Sequence, residues 1–142
     1  MGEYHHTIDA KGRLSVPAKF RTVLGDQFVL SKGVDRCLTI YSQKEWGEFQ
    51  DKLKALPTLD PSAREIKRFF GAGSVSVDVD PHGRILVPAN LQEYAGLQKD
   101  VTIVGTTDGK AEVWDTKAWD EREGRIGPEE AIQNLFDRGI VI

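Results

Sequence analysis

The chain has 142 residues, 39% of them hydrophobic and 29% charged, and a formal net charge of −3. That length bounds it to one domain or two very small ones, and the composition is that of a soluble globular chain, not a disordered or fibrous one. No apolar run reaches the length of a membrane span, residues 1–6 lack the basic start and apolar stretch of a leader, and the single Cys37 leaves no internal disulfide to form. A cytoplasmic protein with no membrane role is expected, and Cys37 reads as a small core residue without an activating context.

Residues 4–9 read as an extended segment, followed by Asp9-Ala10-Lys11-Gly12-Arg13-Leu14-Ser15-Val16-Pro17-Ala18. Residues 18–24 read as a short helix, with Pro17 ahead of it, apolar residues spaced by three and four, and Gly25 just past the end. Phe20, Val23 and Leu24 are its candidate core residues. Strands are predicted at 28–30 and 38–41, separated by turn residues. A helix at 44–56 carries Trp46, Phe49, Leu53 and Leu56 on one stripe and stops at Pro57; a second runs over 62–70. Residues 74–80 alternate polar residues with Val, the pattern of a half-buried strand.

At residue 80 the chain repeats itself. Asp80-Pro81-His82-Gly83-Arg84-Ile85-Leu86-Val87-Pro88-Ala89 restates residues 9–18 at an offset of 71. A repeat of about half the chain signals a duplicated unit and not a solenoid. The rest follows in the same order: a short helix from Ala89, strands at 101–103 and 111–114, and Trp119 opening a helix as Trp46 does. A final helix is predicted at 128–136. The fold class expected is α/β, mostly β with short helices, with repeats over residues 1–71 and 72–142. Units of about 70 residues bury modest cores, so the two should pack together or oligomerise.

The chemistry concentrates in the repeated turn. Gly12 and Gly83 suit a tight connection between two strands, because glycine takes a positive φ at little cost. Asp9 and Asp80 can cap backbone amides inside it. Arg13 and Arg84 then start the outgoing strands, each offering a planar fork of donors suited to phosphate or to the guanine edge. Lys11 and His82 occupy the turn itself, and Lys19 and Arg21 sit on the short helix after the first turn. Two readings of each Asp/Arg pair stand side by side: a mutual ion pair that merely shapes the turn, or a held cation that binds an anion. Charge is divided unevenly. Residues 1–71 hold 12 Lys/Arg against 9 Asp/Glu, net +3; residues 72–142 hold 7 against 13, net −6. Such asymmetry hints at nucleic-acid contact. Arg84 is the weaker candidate, since Pro81 and His82 replace Ala10 and Lys11 and it stands in the acidic half.

Other chemistry finds little support. His5-His6 lacks further ligands at metal spacing, and the Asp78/Asp80 pair is not repeated in the first copy. No phosphate loop, dinucleotide fingerprint or nucleophile elbow is present. Neither enzyme activity, a metal, a cofactor nor a small-molecule substrate is expected. No helix-turn-helix pattern appears, so any DNA reading falls to hairpins.

The two Asp-x-x-x-Arg motifs inside Asp-x-x-Gly-Arg-x-x-Val-Pro-Ala, with Gly71-Ala72-Gly73 before the second and Val113-Trp114-Asp115 after it, resemble the MraZ family of bacterial transcriptional regulators. The resemblance covers nearly the whole chain. Each half also resembles the AbrB-type swapped-hairpin DNA-binding domain, which implies that the two units pair into a small pseudo-symmetric barrel. It further implies a nucleoid-associated regulator of the cell-division and cell-wall gene cluster, including its own gene. Such a protein binds short direct repeats in promoter DNA as a ring-like homo-oligomer. Arg13 would then be the leading DNA contact and Lys11 the second, with Asp9 and Asp80 as orienters, and protomers would meet near Trp46 and Trp119. The alternative is an antitoxin-like or other protein-interaction module.

Overall fold

The computed structural model describes residues 1–122 and 126–142. The first repeat runs β1 (Gly2–Thr7), β2 (Arg13–Ser15), α1 (Ala18–Leu24), β3 (Gln27–Lys32), β4 (Leu38–Ser42) and α2 (Gln43–Lys54). A linking helix, α3 (Pro61–Ala72), leads into the second repeat. That repeat runs β5 (Ser74–Asp78), β6 (Arg84–Leu86), α4 (Ala89–Tyr94), β7 (Asp100–Gly105), β8 (Ala111–Asp115) and α5 (Thr116–Glu121), and α6 (Pro128–Asp137) follows. The element order is the one the sequence predicts.

The repeats interlock instead of standing apart. The main sheet has six antiparallel strands in the order β1-β7-β8-β4-β3-β5. Each first strand crosses over: β1 pairs with β7 of the second repeat, and β5 pairs with β3 of the first. A pseudo-twofold axis therefore passes between β4 and β8, through the Thr39/Glu112 pair. The remaining strands, β2 and β6, form a two-stranded ribbon in which Leu14 lies opposite Ile85. That pair lies on the same pseudo-axis, since Leu14 and Ile85 are equivalent positions of the two copies.

The expected barrel is met in its swapped pairing but not in closure. β1 and β5 remain the two edges of an open sheet. The three-residue strands β2 and β6 pair in register with each other, and an isolated bridge, Ile8 to Leu14, helps tie the ribbon to the chain before it. The ribbon closes the core by packing. Leu14, Ile85, Val16 and Val87 belong to one buried cluster with Phe28, Leu30, Ile40, Val101, Ile103 and Val113. Both repeats thus contribute to a single core, and burying each such side chain stabilises by about 1.5–3 kcal/mol.

Three helices, α2, α3 and α5, begin at side-chain caps. Ser42 Oγ accepts from the Glu45 amide at 3.1 Å, and Asp115 accepts from the Ala118 amide at 3.2 Å. Asp60 caps α3 ahead of Pro61. Phe20 and Leu24 are buried as expected, as is Leu91 at the equivalent place in α4, but Val23 is 67% exposed. With seven residues, α1 presents only one narrow stripe to the core, and Phe20 and Leu24, four apart, fill it.

Candidate nucleic-acid interface

Both turns fold alike. The amide of Gly12 donates to Asp9 O at 2.9 Å and that of Asp9 to Arg13 O at 3.1 Å; Gly83 and Asp80 repeat these bonds at 2.9 and 2.8 Å. This is a three-residue hairpin loop with its last residue left-handed, and Gly12 and Gly83 take φ of +81° and +77°. The chemistry of the aspartate completes it. Asp9 Oδ1 accepts the amides of Lys11 and Arg13, both at 2.9 Å. Asp80 Oδ1 accepts those of His82 and Arg84 at 2.8 and 2.9 Å. The second oxygen takes the arginine: Arg13 Nε donates to Asp9 Oδ2 at 2.6 Å, and Arg84 Nε to Asp80 Oδ2 at 3.0 Å.

The arginine amide, donating to the carboxylate, is the chief cause that holds each aspartate below the ordinary carboxylate range, against a smaller opposing effect of burial. The guanidinium and the second turn amide add to it. Both carboxylates therefore stay ionised throughout the neutral range. As an ion pair at a surface each contributes little to stability. Its effect is geometric: Nε is fixed on the aspartate, so the plane of the guanidinium is set. Its remaining donors meet no protein acceptor among the described residues.

The ribbon gathers these arginines on one face. Strand residues alternate sides, and residues opposite each other in an antiparallel pair share a side. Leu14 and Ile85 point inward, at 0% and 1% exposure. Arg13 (opposite Leu86) and Arg84 (opposite Ser15) therefore stand together on the outer face. The two turns lie at its opposite ends, and Arg13 and Arg84 stand roughly 7 Å apart along the strand direction, at two residues of rise. Leu86, 59% exposed, shares this face. The sequence hides it in the apolar run Ile85-Leu86-Val87.

The other predicted site residues divide. Lys11 is exposed at the first turn and His82 at the second, and Lys19 is exposed on the first turn of α1. Arg21 does not lie beside the first turn, as its place in the sequence suggests. Its guanidinium packs on Gly83, where an added Cβ would stand 3.3 Å from Arg21 Cζ and Nη2. The counterpart of Arg21 in the second copy is Gln92, which packs on Gly12 and donates from Nε2 to Val87 O at 2.8 Å. Sequence reasoning missed Gln92, because only the swapped pairing brings it there. Backbone bonds cross in the same way: Val16 N donates to Gly83 O at 3.0 Å and Val87 N to Gly12 O at 2.8 Å.

The remaining candidates stay apart from this face. His5 Nδ1 lies 3.2 Å from Thr102 Oγ1, on β1. Cys37 is buried, and burial, with the Glu112 and Asp35 charges, pushes its thiol up to about 12, as suits a core residue. No described helix is long and apolar enough to cross a membrane.

Comparison with known proteins settles the lineage. The family described as "MraZ protein, putative antitoxin-like" matches twice, over residues 1–69 and 70–139. The chain belongs to the MraZ family. It is 52% identical over 142 residues to the transcriptional regulator MraZ of Thermoanaerobacter pseudethanolicus, covering 99% of both chains. It is 47% identical to that of Thermoanaerobacter sp. strain X514, again over 99% of each. With the protein of the same name from Acetivibrio thermocellus it shares 51% over 123 residues, 87% of this chain and 85% of that one. Both halves of the chain, each with its Asp-x-x-x-Arg turn, thus lie within the family match.

Proposed function

We propose that this chain is a DNA-binding transcriptional regulator that reads double-stranded DNA through the outer face of the β2/β6 ribbon. The observation that carries the reading is the pair of arginines on that face, each fixed through Nε by its own aspartate with its outer donors free among the described residues. A two-stranded ribbon fits the roughly 12 Å major groove, where arginine forks recognise guanine edges and phosphates. Arg13 and Arg84 make the leading contacts, Lys11 and His82 flank them, and Lys19 and Arg21 add phosphate contacts. Asp9, Asp80, Gly12 and Gly83 orient the turns. Relatives at 47–52% identity over their full length are named as regulators, which supports this reading over an enzyme.

The finer reading is that protomers assemble as a ring-like homo-oligomer and engage consecutive short direct repeats. These lie upstream of a cell-division and cell-wall gene cluster that includes the protein's own gene. Repetition suits an acidic chain of net charge −3: weak contacts from several protomers add through effective concentration.

Fluorescence-anisotropy titration against DNA from upstream of the gene tests the proposal. Repeat-dependent binding that falls with salt, and that Arg13→Ala weakens by about 1–3 kcal/mol, is expected. No preference over scrambled DNA, in folded protein, contradicts it. A second reading, a protein-interaction module, draws on α6, whose Ile132 and Phe136 are 49% and 62% exposed. It would then be favoured.

A further inference from the structure

We infer that Arg21 is a phosphate contact of the second turn, supplying there the permanent cation that Lys11 supplies at the first. The inference rests on the DNA-binding reading and goes beyond it, for it assigns Arg21 to the opposite repeat's hairpin and gives the second turn a full share of binding.

One polar group of Arg21 is unsatisfied. Arg21 Nε is buried and makes no hydrogen bond among the described residues. A buried donor without a partner is costly, and in a native structure it needs an explanation. The equivalent Gln92 has no such defect, since its amide donates to Val87 O at 2.8 Å. At this place the fold therefore accommodates a neutral side chain that satisfies itself. The first repeat puts a guanidinium there instead and gives up the bond. Packing alone does not require that choice.

The swap shows what the choice achieves. Arg21 sits over Gly83, with Cζ and Nη2 3.3 Å from where a Cβ would be. The first turn holds Lys11 and Arg13, flanked by the neutral Gln92. The second holds His82 and Arg84, flanked by Arg21. Position 82 holds an imidazole where position 11 holds the permanent ammonium of a lysine. A permanent cation reaches the second turn from α1 of the other repeat. Each turn then carries an arginine tied to its aspartate and a permanent cation beside it, Lys11 at the first and Arg21 at the second. Arg84 is the less exposed of the two tied arginines, its side chain 28% accessible against 37% for Arg13, so a second cation at its side matters more. A permanent cation at both ends of one ribbon suits the phosphate lines on the two sides of a groove, whose contacts position a protein without reading sequence.

Salt dependence measures this directly, because each phosphate contact contributes about 0.9 to the slope of log K against log salt on duplex DNA. Arg21→Gln installs the residue the second repeat already uses. It is expected to lower that slope by about 0.9 for each second turn engaged, and to weaken target and scrambled DNA alike by about five- to tenfold near 0.1 M salt. Gln92→Arg, the reverse change at the first turn, is expected to raise the slope by the same amount. Melting curves accompany both variants. A lower melting temperature with an unchanged slope means that Arg21 only packs on Gly83, and overturns the inference. If Arg21→Gln does not fold, Gln92→Arg decides: an unchanged slope overturns the inference and a raised one supports it. A wild type that binds no DNA overturns the DNA-binding reading and this inference together. Binding by the wild type with equal slopes in all three proteins overturns this inference alone.

Discussion

The first and second turns share a backbone to within a few tenths of an ångström in their hydrogen bonds, yet their surroundings differ. Gly12 is pressed by the Gln92 amide and by a backbone carbonyl, Val87 O. Gly83 meets only the far end of the Arg21 side chain. The fold therefore fixes the Asp/Arg geometry twice through local rules, while tertiary neighbours, supplied by the opposite repeat, give each turn its own charge and tightness. The two repeats share the turn and differ at its flank, Arg21 in one and Gln92 in the other.

The largest expected effect tests the part that is shared. Leu14 and Ile85 face each other on the pseudo-axis and are essentially inaccessible. Leu14→Ala and Ile85→Ala should each destabilise by about 2–5 kcal/mol in urea titrations, and by similar amounts. A large cost at one position with little at the other would show that the ribbon is not equally held from both repeats.

The glycines sharpen the difference. At a positive φ an alanine costs about 1–2 kcal/mol wherever it stands. Gly83→Ala should cost about that much, because Arg21 can shift. Gly12→Ala should cost more, about 2–4 kcal/mol, because its Cβ would stand 2.9 Å from a carbonyl that β6 and α4 hold in place. Equal melting temperatures for the two variants would refute the assigned packing.

Much of this was legible in the chain itself. The repeat, the left-handed glycine, the aspartate that caps its turn and the arginine that follows are local signals, and their spacing does not depend on the rest of the fold. The helix starts at Ser42 and Asp60 are local too. The swap was not legible from strand patterns, because alternation shows which side of a strand is buried and not which strand lies beside it. For that reason Arg21 reads in sequence as a neighbour of Arg13 and stands in the structure beside Arg84. Val23 misleads for a related cause: it is apolar, but a helix this short buries only one side. The open sheet follows from β2 and β6 being three residues long, a length that periodicity does not reveal.

The smallest expected effect comes from the aspartates. Their carboxyls are held low in the folded protein, so their contribution is complete above the ordinary value near 4 and is lost as pH falls through the lower folded values. The melting-temperature difference between wild type and Asp9→Asn, and likewise Asp80→Asn, should be constant from neutral pH down to about 5 and narrow below about 4. A difference that instead grows with acid would contradict the assigned hydrogen bonds.

The central claim is that two equivalent arginine turns on one ribbon face meet DNA together. Anisotropy titrations of wild type, Arg13→Ala and Arg84→Ala against the upstream DNA, at matched salt, test it most directly. The account predicts losses of comparable size from both variants, each about 1–3 kcal/mol, with folding intact. Wild-type affinity in Arg84→Ala alongside a clear loss in Arg13→Ala would contradict it and leave a single reading turn.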